Sequence, residues 1–212
     1  MHISFYLYII PLCIVVGLVR FRTLNPPIIR WLLPFLIITL TVEISGLVLS
    51  VIHRRNHGLY NYFTSFEFIF YSLFYRAILE NKRIKKIVLC AIIVYPVLFI
   101  LNILFIQGLK GFHTITYRLG SVMVVTWCYL YFRQLMKSDV YVPLFRNPLF
   151  WISSGLLFFY AGFFFWMSAD ILIYINLPYN SSLWFAVSDS LNLILYSCFL
   201  ISFLCQIKTT LK

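Results

Sequence analysis

Seven apolar runs, each 18–26 residues long, divide this chain of 212 residues and leave little between them. They lie near 2–19, 31–52, 59–79, 87–107, 115–136, 150–175 and 183–206. A helix that crosses the hydrocarbon core of a bilayer needs about 20 such residues. No water reaches that layer, so every backbone N–H and C=O must bond within its own segment, and runs of this kind fold as helices. An outer-membrane barrel needs short stretches of alternating polarity, a pattern these runs lack. The expected fold is an all-α integral membrane protein, a single seven-transmembrane-helix bundle covering residues 1–212.

Composition excludes the alternatives. Hydrophobic residues make up 62% of the chain and charged residues 11%, against about 45–50% and about 25% in ordinary globular proteins. A soluble domain, a disordered tail and a disulfide-stapled secreted module all fail that test. The five cysteines (Cys13, Cys90, Cys128, Cys198, Cys205) all fall inside apolar runs, and no CxxC occurs. They read as small buried hydrophobes rather than a disulfide or zinc framework. The start, MHISFYLYII, carries no Lys or Arg and no small-residue cleavage site follows it, so the first run is expected to stay as a helix.

The net charge of +11 comes from 17 Lys and Arg against 6 Asp and Glu. In a soluble protein this excess would point to nucleic acid. Here the cations lie mostly in short segments between apolar runs, too short for a nucleic-acid module, and act as an orientation signal. With the N-terminus outside, the inner side holds thirteen: Arg20, Arg22, Arg30, Arg76, Lys82, Arg83, Lys85, Lys86, Arg133, Lys137, Arg146, Lys208 and Lys212. The outer side holds four, Arg54, Arg55, Lys110 and Arg118. This bias predicts the N-terminus out and the C-terminus in, with the basic inner segments against anionic lipid headgroups. The lack of a cleavable presequence favours a bacterial cytoplasmic (inner) membrane as the location.

A repeat is suggested by laying residues 64–74, TSFEFIFYSLF, on residues 189–199, DSLNLILYSCF, where five of eleven positions agree. Asn25-Pro26 before the second run has a counterpart in Asn147-Pro148 before the sixth. Helices 1–3 would then correspond to helices 5–7 in the same orientation, a parallel 3+1+3 layout. In topology this is similar to the sugar carriers built on parallel three-helix repeats. Those carriers place a proline in the first two helices of each triplet. Pro11 and Pro34 fill that role in the first triplet, and helices 5 and 6 have none.

Four of the six acids sit inside apolar runs: Glu43, Glu67, Asp170 and Asp189. A carboxylate near mid-bilayer costs roughly 2.5–3.5 kcal/mol on insertion scales, so these side chains should point into the bundle. By depth all four fall in the outer half or near the midplane. Asn102 and Arg118 lie at similar depth, and Asn192 slightly deeper. Helical spacing sets Tyr71 on the face of Glu67, and Asn192 and Tyr196 on the face of Asp189. These nine residues form the candidate ligand- or ion-binding set, lining a polar cavity open to the outside. Four acids against the one cation inside the runs at that depth, Arg118, leave three negative charges if all ionise. Protons or a bound cation must supply the balance.

No P-loop, GxSxG or HExxH occurs, and no cofactor is expected. The last run has no lysine for a retinal Schiff base, and Lys208 lies beyond it. The four histidines are His2, His53, His57 and His113, too few and too scattered for an intramembrane zinc hydrolase. The leading expectation is a small-solute or cation carrier, with proton coupling as one mode. The alternative is a seven-helix sensor or receptor, which would need a partner protein because the chain has no cytoplasmic domain. A third is a lipid hydrolase built on Ser188-Asp189.

Overall fold

The computed structural model describes residues 4–109, 111–137, 143–176 and 181–205. Each apolar run becomes a helix: α1 (Tyr6–Val19), α2 (Leu32–Val51), α3 (His57–Ile78), α4 (Lys82–Leu101), α5 (Thr114–Met136), α6 (Pro148–Asn176) and α7 (Ser181–Leu204). No strand occurs among the described residues. Four stretches are long and apolar enough to cross a membrane: Pro27–Val51, Lys82–Ile106, Pro148–Ala169 and Ser182–Leu204. These identify an integral membrane protein. The other three helices differ for a readable reason. α1 has only 14 residues. α3 and α5 have 22 and 23 but carry polar side chains that lower their hydropathy, among them Asn61, Glu67 and Arg76 on α3 and Arg118 and Gln134 on α5.

The helix ends follow local chemistry. α2 stops at a left-handed residue, His53 (φ 53°), and the Arg54 N–H turns back to the Leu49 carbonyl at 2.8 Å. This is the closing pattern of a Schellman motif. Histidine is among the non-glycine residues that tolerate that backbone region. α4 begins five residues before its apolar run, because the Asn81 side chain caps it, accepting from the N–H groups of Arg83 (2.8 Å) and Ile84 (3.3 Å). Lys82, Arg83, Lys85 and Lys86 therefore belong to the first helical turns rather than to a loop. At its other end α4 widens into a π-helical turn, Asn102–Ile106, closed by the Gln107 N–H on the Asn102 carbonyl at 2.9 Å.

The helices form two compact groups, and these cut across the suggested triplets. The first spans residues 1–37 and 135–212. In it α7 packs against both α1 and α6. Buried residues of α6 (Ile152, Leu156, Phe159, Tyr160, Phe163) and of α7 (Leu195, Tyr196, Phe199, Phe203) recur at helical spacing. Small residues set the α6–α7 approach: a methyl at Gly155 would lie 2.7 Å from Cys198 Cβ and 3.3 Å from the Leu195 carbonyl, and one at Gly162 would meet Leu191. Membrane helices associate through such close backbone contact. Arg20, just past α1, donates to the Leu204 carbonyl at 2.9 Å and so closes the last turn of α7. Gly155→Ala should destabilise this group by about 1–3 kcal/mol through overpacking against backbone, read as a lower unfolding temperature in micelles.

The second group spans Ile38–Gln134, with α3 as its core helix. Asn61, Phe63, Ser65, Glu67, Phe68, Tyr71, Ser72, Phe74 and Tyr75 are all buried. They occupy more than one face, as expected for a helix with neighbours on several sides. Ties to α5 run along its length: Trp127 Nε1 donates to Ser72 Oγ (3.1 Å), Tyr75 Oη and Cys128 Sγ meet at 3.1 Å, and Gln134 Nε2 donates to the Ile78 carbonyl (3.3 Å).

Candidate functional site

The nine expected site residues divide between the two groups. Glu43, Glu67, Tyr71, Asn102 and Arg118 belong to the second. Asp170, Asp189, Asn192 and Tyr196 belong to the first.

In the second group, α2 and α3 bring two carboxyl groups near each other. Glu67 is about nine-tenths buried, with 9% of its surface exposed. Glu43 lies within electrostatic reach of it. Glu43, half-buried, accepts a hydrogen bond from Tyr60 Oη at 3.2 Å. That contact exists because position 46 is glycine: a methyl there would collide with the Tyr60 hydroxyl. The Glu67 carboxyl is withdrawn from water beside that second acid. A buried carboxyl in that condition is costly unless something neutralises or coordinates it. Tyr71, one helical turn on, lies within electrostatic reach of Glu67, Tyr117 and Cys128. Arg118 is half-buried on α5.

Asn102 belongs to a different construction, a polar knot at the α4–α5 connection. Its Nδ2 donates to Gln107 Oε1 at 3.0 Å, and Gln107 Nε2 donates to Thr114 Oγ1 at 3.0 Å. Asn61 of α3 completes the knot, donating to the Gly111 carbonyl and accepting from the His113 N–H, each at 2.9 Å. His113, 2% exposed, pairs its Nε2 with the Gly108 carbonyl, so the ring carries its proton on that nitrogen. Sequence reading passed over His113, Gln107 and Tyr60. The signal for the first two was the set of polar residues Gln107, His113 and Thr114 flanking Gly108 and Gly111, a turn that must satisfy its own backbone. No such local signal marks Tyr60.

In the first group, Asp189 and Asn192 are half-buried on α7. The Asn192 amide donates to the Ser188 carbonyl of its own helix at 3.0 Å. Tyr196 is buried and stacks on Tyr6 of α1, with ring centroids 6.0 Å apart. Asp170 lies on the last turns of α6, and its side chain is outside the described residues. Among the described residues no group of three or more His, Cys, Asp or Glu side chains is placed to hold a metal.

Comparison of the chain with protein-family models, curated proteins and solved structures finds no match.

Proposed function

We propose that this protein is a membrane carrier for a small solute or cation, with a proton or cation exchanged at the Glu43–Glu67 pair. The observation that carries this reading is the buried Glu67 carboxyl with a second carboxyl, Glu43, nearby. Ionisable groups held inside a membrane domain are expensive, and they mark ion and proton pathways. In this reading all seven helices span the bilayer, with the N-terminus outside, the C-terminus inside and the basic connections on the headgroups of the inner leaflet. At 1.5 Å per residue α3 and α5 are about 33 Å long, enough for the hydrocarbon core. Their polar faces are tolerable there because they are turned toward neighbours rather than lipid. A bacterial inner membrane is the proposed location. The carrier reading does not need the internal repeat.

Uptake of a panel of labelled cations and small solutes into proteoliposomes, with and without an imposed proton gradient, tests the proposal. Uptake of at least one class is expected, with a loss of at least tenfold in Glu43→Gln or Glu67→Gln. No uptake by the wild type, or uptake unchanged in both variants, removes the reading.

A further inference from the structure

At one end of the second group six cations gather around the turn between α3 and α4. Arg76 closes α3. Lys82, Arg83, Lys85 and Lys86 fill the first turns of α4, and Arg133 lies on the last turns of α5. All but Lys85 are exposed, and Glu80 is the one acid among the described residues there. The assembly is fixed in place. Gln134 of α5 accepts from the Glu80 N–H at 2.9 Å and donates to the Ile78 carbonyl. Two of the free N–H groups at the start of α4, those of Arg83 and Ile84, are already taken by Asn81, so the attraction for an anion rests on the side chains.

The cluster has a directional continuation. Lys82 and Lys86 stand one turn apart, and beyond exposed Leu89 the same stripe of α4 continues through Ile93, Val97 and Ile100, all at three- and four-residue steps. Those three side chains are 62%, 54% and 53% exposed. A charged head region therefore adjoins a bare apolar face on a single rigid helix. A free phosphate or nucleotide would use only the first part. A phospholipid uses both, with its phosphate among the cations and its acyl chain along the stripe. Six cations against one acid exceed what one phosphate can neutralise. From this juxtaposition we infer that the α3–α4 end binds a phospholipid bearing two phosphate groups, seated on Lys82, Arg83 and Lys86 with its chains along α4. The inference rests on the reading that the basic connections face the headgroups of one leaflet.

Thermal unfolding in phosphatidylcholine nanodiscs tests it, at matched phosphate content of cardiolipin or phosphatidylglycerol and, as a soluble arm, inorganic pyrophosphate. Three proteins are compared: wild type, Lys82→Gln/Lys86→Gln, and Arg22→Gln/Arg146→Gln. The last removes the same charge from exposed positions of the first group. Cardiolipin should stabilise the wild type more than phosphatidylglycerol does. Its apparent affinity should fall at least fivefold in Lys82→Gln/Lys86→Gln and stay within twofold of wild type in Arg22→Gln/Arg146→Gln. Equal weakening in both variants means diffuse attraction and overturns the site. So does pyrophosphate matching cardiolipin, which would make it a soluble-anion site, or phosphatidylglycerol matching cardiolipin. If neither lipid shifts the wild type, the headgroup-facing reading fails along with the site. Because transport is not measured, the carrier reading stands or falls separately.

Discussion

Gly120→Ala should unfold at a distinctly lower temperature than the wild type, by the equivalent of about 1–3 kcal/mol, the usual cost of forcing volume into a filled core. Alanine is the better helix former by about 1 kcal/mol, so on an open helix face the sign would be the reverse. What decides it is the Phe68 ring, which occupies the space a methyl at position 120 would need. That ring has no easy retreat. Phe68 is 1% exposed and sits edge-on to Tyr95 and Tyr117, with centroids 5.5 and 5.6 Å away. Pairing Gly120→Ala with Phe68→Leu should recover part of the loss, because the smaller side chain vacates the collision. A double-mutant cycle in micelles reads this as a coupling of about 0.5–3 kcal/mol. Additive losses would mean that α3 and α5 do not meet at these two positions. Gly58 supplies the control. A methyl there meets nothing within 4 Å, and Gly58→Ala should stabilise by about 0.5–1 kcal/mol.

Glu67→Gln should abolish cation-dependent stabilisation while leaving a folded protein. Gln keeps the shape of the side chain and removes the charge, so the variant should be at least as stable as the wild type when no cation is present. A ligand that binds only the folded state stabilises it by RT ln(1 + [L]/Kd), about 2.7 kcal/mol at a hundredfold excess over Kd. The wild type should show that gain with the transported cation, and Glu67→Gln should show none. Tyr60→Phe removes only the hydroxyl that Glu43 accepts from and should weaken the cation effect without eliminating it. A cation effect that survives Glu67→Gln intact would move the site elsewhere.

The sequence showed the helices and the unusual residues, but not how helices meet. Each apolar run marked a helix because run length and backbone satisfaction leave no other choice in lipid. That Glu67 and Tyr71 share a face was visible from spacing alone, and both side chains are buried. The start of α4 was misplaced because four cations looked like a loop, whereas Asn81 supplies a cap that lets them begin a helix. Pairing between distant segments was out of reach. Nothing local in Gly120 points to Phe68, or in Gly46 to Tyr60, because glycine records only that something comes close. α1 against α7, closed by Arg20 on Leu204, was equally invisible. Likewise, depth within its run named Asn102 as a site residue, and only the hydrogen bonds reveal that its amide braces Gln107.

The central claim is that the buried Glu67 carboxyl is balanced by a proton or cation that exchanges with solution. Infrared difference spectroscopy of the reconstituted protein reads this directly through the C=O band of a protonated carboxyl, followed while pH and cation concentration are varied. The account predicts a band that changes with pH or with the cation and that is missing from the difference spectrum of Glu67→Gln. A carboxyl signal that stays constant across both titrations, identical in wild type and variant, would contradict it.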